Sequence, residues 1–200
     1  AMHIDDVLDR AHVVSLPLAV RFRGITTREA LLIEGPAGWG EFAPFLEYGP
    51  AESAAWLRAG LEAAYEGFPE PVRDSIEVNA TIPAVPASEV PAVVERYPGC
   101  RTFKIKVAEK GHTLADDAAR VRAVRDAVTQ RGDIPILRVD ANGGWTVDEA
   151  VEAAQMMMPL DYMEQPCATT EELAQVRGRL MRAGLFVRVA ADESIREVVD

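Results

Sequence analysis

An α/β fold is predicted, with a strand-rich N-terminal part followed by a longer part in which strands and helices alternate. Three observations predict it. Short apolar runs rich in Val, Ile and Phe recur beyond residue 76, separated by amphipathic stretches of helix length. Three of these runs end on a carboxylate: Asp140 in ILRVDAN, Glu164 in LDYMEQP and Asp192 in VRVAADES. A fourth, CRTFKIKV, carries Lys104 and Lys106, and a spacing of two turns both ammonium groups to one side of a strand.

The elements follow in order. Residues 11–22, 29–35 and 38–45 read as three strands with turn residues between them, and 52–68 as a helix, so 1–75 are expected to form a small α+β domain. From 76 to 200, strands are expected over 77–83, 101–107, 135–141, 160–165 and 185–191. The intervening helices begin near Ser88, Thr113, Thr146, and Thr169 or Thr170. Thr146 precedes Asp148 and Glu149, and Thr169–Thr170 precede Glu171 and Glu172, which supplies capping hydroxyls and first-turn acids.

Crossovers of this length are right-handed, so all five strand ends open toward one face, the edge where ligands and catalytic groups collect in parallel sheets and barrels. A TIM-type (β/α) barrel needs eight such units, typically about 250 residues. Five strands precede Asp200, so a barrel cut short after about five strands, preceded by the α+β domain, is expected. Further residues or another chain would complete it. A five-stranded open sheet is the alternative.

The chain has 21 basic and 32 acidic residues, a net charge of −11 and no Lys/Arg-rich tract, so nucleic acid and anionic membranes are not expected partners. No apolar stretch approaches the roughly 20 residues of a transmembrane helix, and no basic segment leads into a hydrophobic signal core. A cytoplasmic location is expected. Cys100 and Cys167 have neither disulfide-scaffold nor metal-ligand spacing, so reduced thiols are expected, with Cys167 near the site mouth. His3, His12 and His112 fall outside the strand-end set.

Carboxylate oxygens without a His or Cys partner suit Mg²⁺, with Mn²⁺ able to substitute. Such an ion, bound to a small-molecule carboxylate, stabilises the enediolate left when the α-proton departs. The base would then be a neutral amine. Lysine ordinarily titrates near about 10.4, and a second ammonium or a divalent cation nearby disfavours its charged form. Each group alone has an ordinary reading: strand-edge lysines, a turn or cap aspartate in DANGG, a strand-ending glutamate before proline, and helix-capping acids at 192–193. Their joint occurrence at successive strand ends favours the site.

The order Gly38-Trp39-Gly40-Glu41, Lys104-Ile105-Lys106, Asp140 with Asn142, Glu164-Gln165-Pro166 and Asp192-Glu193-Ser194 resembles the enolase superfamily, specifically its muconate lactonising enzyme subgroup. That resemblance implies a capping domain over residues 1–75, with the GWGE segment in it. It implies Lys106 as general base, Lys104 tuning and holding it, and Asp140, Glu164 and Asp192 as Mg²⁺ ligands. A further lysine from a sixth strand, beyond Asp200, would face the pair. The phrases TFKIKV, RVDANGGW and MEQP are most similar to a carbon–oxygen lyase branch that dehydrates a succinyl-hydroxycyclohexadiene carboxylate on the way to menaquinone. N-acylamino acid racemases and dipeptide epimerases are the alternative, and a non-catalytic α/β binding protein a second. Glu41 has a structural reading as well, and Trp39, Phe42, Phe45 and Tyr48 read as cap core or as a site lining.

Overall fold

The computed structural model describes residues 3–22 and 24–196. It contains two compact units, one ending at Ser75 and the other beginning at Ile76.

The N-terminal unit opens with a five-residue helix that the sequence pattern did not announce, α1 (Ile4–Leu8), capped by the His3 side chain on the Asp5 N–H. Strands β1 (Ala11–Phe22), β2 (Ile25–Gly35) and β3 (Gly38–Phe42) form an antiparallel sheet in sequence order, with the register slipping between Pro17 and Phe22. Helix α2 (Pro50–Tyr65) covers it with Pro50 in its first turn, where the missing N–H costs nothing. The core is small: Val7, Ile33 and Ala64, with Leu31, Leu57, Leu61 and Tyr65 packed around them.

The two glycines of GWGE have different tasks. Gly38 sits in the β2–β3 turn with φ 142°, a conformation costly for other residues. Gly40 is a contact surface: a Cβ there would lie 1.9 Å from the Gly60 carbonyl oxygen of α2, so helix and strand meet backbone to backbone.

The second unit is a parallel sheet in the order β4 (Ala80–Ile82), β5 (Thr102–Lys106), β6 (Ile136–Asp140), β7 (Tyr162–Glu164) and β8 (Arg188–Ala190). The first crossover contains a 3₁₀ turn (Ala87–Glu89) and the short α3 (Val90–Val94); α4 (Leu114–Gln130), α5 (Val147–Met157) and α6 (Thr170–Arg182) make the others. The last three each start with a capping box, Thr113 with Asp116, Thr146 with Glu149 and Thr169 with Glu172, which identifies Thr169 as the last cap. Five strands and four crossovers agree with the expected partial barrel.

Several strands are shorter than the apolar runs that announced them. Gln165 enters the left-handed region at φ 39° and ends β7, while Phe186 is 90% exposed and precedes β8. The core of this unit runs along the strands through Phe103, Ile105, Val139 and Met163, and is closed by Val121, Val124, Val128, Ala153, Met157, Val176 and Leu180 from the helices. Burying a side chain of this kind stabilises a fold by roughly 1.5–3 kcal/mol. Of the three consecutive methionines, Met157 is buried at the end of α5 and Met158 packs against this core.

Candidate active site

Register brings the strand-end residues together. Lys106, Asp140, Glu164 and Ala190 are consecutive Cα partners across β5 to β8, and Lys104, Arg138, Tyr162 and Arg188 form another such row. Alternate residues share a face, so lysines and carboxylates meet in two adjoining rows.

The Lys104 ammonium donates to both Glu164 oxygens, at 3.1 Å to Oε1 and 3.0 Å to Oε2, and lies 3.4 Å from Asp140 Oδ2. Lys106 donates to the same Asp140 oxygen, and at 3.0 Å to Asn142 Oδ1. Asp140 is 1% exposed, a burial that a carboxylate tolerates only when compensated; its second oxygen accepts the Asn142 N–H at 3.1 Å. Burial works against the charge on Lys104, but the hydrogen bond and charge of Glu164, and then Asp140, outweigh it and hold this lysine above its ordinary pKa. The neutral amine expected from the sequence is Lys106; its neighbour Lys104 is held in the charged form by these carboxylates.

Asp192 is exposed two residues beyond β8, with its backbone rather than its side chain tied to the neighbouring strand end. Its neighbour Glu193 is the acid that reaches the cluster, accepting Asn142 Nδ2 at 2.6 Å. Among the described residues no three His, Cys, Asp or Glu side chains are grouped to hold one ion. The structure therefore gathers Lys104, Lys106, Asp140 and Glu164, and leaves Asp192 apart.

Backbone strain is concentrated here. The three non-glycine residues of positive φ among the described residues are Ala108, Asn142 and Gln165, each one or two positions beyond Lys106, Asp140 or Glu164. Such conformations cost on the order of 1–3 kcal/mol each and persist where surrounding contacts enforce them.

Gln165 is a residue whose role the sequence reading missed. Fully buried, it donates Nε2 to the Cys167 carbonyl at 2.9 Å, and its Oε1 accepts the Asp192 N–H at 2.7 Å and the Ser194 N–H and hydroxyl at 3.3 and 3.2 Å. A polar residue between an apolar run and a proline was the available signal. Gln165→Leu is expected to lower stability by about 3 kcal/mol, because it leaves several buried partners unsatisfied, and to speed amide exchange at Asp192 and Ser194. Urea melts and exchange mass spectrometry would show this, and a shift below about 0.5 kcal/mol would contradict it.

Arg138 is held by the Asp161 carboxylate at 2.9 Å and Asn79 Oδ1 at 2.9 Å, with its guanidinium 4.8 Å from the Tyr162 ring centre. Arg188 also pairs with Asp161. Burial alone would raise the Asp161 pKa, but the two arginines bring it below the ordinary value. The pairing therefore stabilises the fold fully above the unfolded carboxyl value of about 3.9, and the contribution is lost as pH falls through the lower folded value. Between pH 5 and pH 2, stability of Asp161→Asn should fall less steeply than that of the parent in denaturant titrations. Parallel slopes would contradict the assignment.

Cys167 corrects an expectation. It lies wholly buried in the second core instead of at the site mouth, and desolvation, with Glu172 and Glu149 nearby, pushes its thiol up to about 11. Under native conditions at pH 8, an aromatic disulfide reagent should therefore label half-buried Cys100 well before Cys167. Rapid labelling of both would show that this core opens readily.

In the N-terminal unit Glu41 is exposed on β3, opposite Leu32. Phe45, Tyr48 and Trp56 form a ring cluster with centroids 5.3–6.3 Å apart at the surface of this unit, outside its core, and Trp39 is largely exposed beside His12.

Comparison with known families places this geometry. Residues 13–64 match the model for enolase N-terminal domain-like sequences, and residues 87–200 that for enolase C-terminal domain-like sequences. The chain belongs to the enolase superfamily. Its relatives there include the o-succinylbenzoate synthase of Mycolicibacterium smegmatis, 58% identical over 98% of this chain and 59% of that protein, and that of Mycobacterium leprae, 56% identical over 98% and 57%. The chain thus spans just under three fifths of the length of these relatives. Among solved enolase-superfamily structures, the L-Ala-D/L-Glu epimerase of Bacillus subtilis aligns with a TM-score of 0.68 at 25% identity, covering 92% of this chain and 67% of that one. An o-succinylbenzoate synthase from Thermosynechococcus elongatus, with magnesium in its active site, shares the fold at a TM-score of 0.58 and 21% identity, covering 92% and 68%.

The donor set suits a divalent cation. Asp140 and Glu164, on adjacent strands and in register, both turn oxygens toward positive charge, and the Lys104 ammonium lies within 3.4 Å of each. Hard oxygen donors of this kind are Mg²⁺ ligands.

Proposed function

We propose that this protein acts as an o-succinylbenzoate synthase, converting 2-succinyl-6-hydroxy-2,4-cyclohexadiene-1-carboxylate to 2-succinylbenzoate with loss of water. The observation that carries the reading is identity of 56–58% to synthases across 98% of this chain. In this reading Mg²⁺, or Mn²⁺ in its place, is held by Asp140 and Glu164, with Asp192 completing the set from the next strand end. Such an ion supplies positive charge against a substrate carboxylate.

The protein's own groups do the rest. Lys106, at the open end of β5, removes the proton α to the carboxylate and returns a proton to the departing hydroxide, so that water leaves and the ring becomes aromatic. Lys104, held charged by Glu164 and Asp140, keeps the first carboxylates in place and sets the charge beside Lys106. Asn142 orients Lys106 through its Oδ1 at 3.0 Å. The substrate is a small carboxylate. The protein in this reading works in the cytoplasm, in keeping with two unbridged cysteines. Among the described residues no helix is long and apolar enough to cross a membrane.

Turnover of the hydroxycyclohexadiene carboxylate by the full-length polypeptide, with and without Mg²⁺, tests this by absorbance. Rapid, metal-dependent aromatisation supports it. The likeness to the Bacillus subtilis epimerase favours a second reading, epimerisation of dipeptides or racemisation of N-acylamino acids, since both begin with the same proton removal. Folded, metal-loaded protein that leaves the cyclohexadiene untouched but exchanges the α-proton of a dipeptide would establish that one.

A further inference from the structure

We propose that the buried Arg120–Asp117 pair of α4 is a positioning device for Lys106, setting the strand end from which that lysine acts. The proposal rests on the assignment of Lys106 as the base.

Both side chains are 1% exposed and form an ion pair of 2.7 Å. Burying a charged pair is costly unless further hydrogen bonds satisfy it, so where these bonds go is informative. Arg120 Nη1 donates to the Lys106 carbonyl at 2.9 Å, and Nε to the Val85 carbonyl at 2.6 Å, beyond β4. Its Nη2 meets His112 Nδ1 at 3.0 Å. Asp117 Oδ2 accepts the Ala108 N–H at 2.9 Å.

The backbone leaving Lys106 is thus held at two points. Its carbonyl is held by Arg120, and the residue two positions on is held by Asp117 in the left-handed conformation, φ 57°, that alanine disfavours. Between them the Val107 N–H donates to the Asp140 carbonyl at 3.0 Å. Ala108 has little freedom to relax, because Gly144 of the next strand-end loop packs against it: a Cβ on Gly144 would lie 2.9 Å from that of Ala108. A planar guanidinium with five donors can span two carbonyls and a carboxylate, whereas an ammonium cannot hold that geometry. Neither Arg120 nor Asp117 belongs to the rows of lysines and carboxylates, so the pair works through the backbone of Lys106.

The test uses the full-length polypeptide at saturating Mg²⁺, with Arg120→Ala and Asp117→Asn variants. A displacement of about 1 Å in a reacting group costs roughly 100-fold in rate, so kcat should fall by about that factor in Arg120→Ala, with KM within threefold of the parent. Added guanidinium should restore part of the loss, and amide exchange at Ala108 should accelerate while α6 keeps its protection. A folded variant with kcat within threefold of the parent overturns the proposal. So does a loss of kcat that guanidinium leaves unchanged and that accompanies faster exchange throughout the second unit, since that marks a merely structural role. Should Arg120→Ala not fold, Asp117→Asn, which keeps the shape but removes the charge that fixes Arg120 and one of the two carboxylate acceptors, is judged by the same kcat, KM and exchange criteria. If the parent itself does not turn the substrate over, the synthase reading fails, and exchange at Ala108 still decides: unchanged exchange in the variants removes the device.

Discussion

Lys106→Ala is expected to lower turnover of the hydroxycyclohexadiene carboxylate by about four orders of magnitude while leaving Mg²⁺ affinity intact or tighter. A positioned acid–base group contributes typically 10²–10⁴-fold, and here one group is assigned both proton transfers, which puts the loss at the upper end. The metal prediction follows from the contacts. Lys106 is no oxygen donor, and its ammonium competes with any cation for Asp140 Oδ2. Truncation leaves Asp140 still compensated by Lys104 at 3.4 Å and by the Asn142 N–H at 3.1 Å. Lys106 is 33% exposed but its partner Asp140 is buried, so losing the ammonium costs stability that Lys104 and the Asn142 N–H only partly offset, and a urea melt checks that the variant is folded before the two effects are read. Stopped-flow absorbance and magnesium calorimetry on one preparation separate the two effects. Activity within tenfold of the parent would move proton removal to another group, and Lys104 would be the next to replace.

Much of the architecture could be read from the sequence because it is written in periodicity. Five apolar runs separated by amphipathic stretches give five parallel strands, and hydroxyl-acid pairs at Thr146 and at Thr169 or Thr170 mark helix starts that the capping boxes repeat at Thr146 and Thr169. Lys104, Lys106, Asp140 and Glu164 could be read for the same reason, since residues at equivalent strand ends are carried side by side by register. The remainder depends on contacts that no local pattern encodes. Arg120 and Asp117 look like ordinary helix-surface charges until the fold buries them, and Gln165 looks like a strand terminator until its side-chain amide oxygen is seen holding the Asp192–Ser194 backbone. Gly40 carries no local sign of the helix packing it serves. Asp192 shows the limit from the other side: its place at a strand end was plain, but the direction of its side chain depends on a loop, which sequence spacing does not fix.

Asp140→Asn should weaken Mg²⁺ binding by at least roughly 100-fold, the largest loss that outer partners of a metal ligand ordinarily cause, because the residue is assigned as a ligand itself. The substitution keeps volume and shape and removes one charge, so packing around the 1% exposed side chain is preserved. Neither lysine is stranded: Lys104 keeps both Glu164 oxygens within 3.1 Å, and Lys106 keeps Asn142 at 3.0 Å. Local geometry should therefore survive, and a change in affinity can be attributed to the lost charge. Asp192→Asn is the informative partner experiment. Asp192 stands apart from Asp140 and Glu164, so its contribution to affinity measures whether the loop after β8 swings in when an ion binds. A loss comparable to that of Asp140→Asn requires that movement, while a loss below about threefold assigns the ion to Asp140 and Glu164 with water or substrate filling the remaining positions. Magnesium calorimetry on the two variants decides between these, and parent-like affinity in Asp140→Asn would remove the metal site from this row of strand ends altogether.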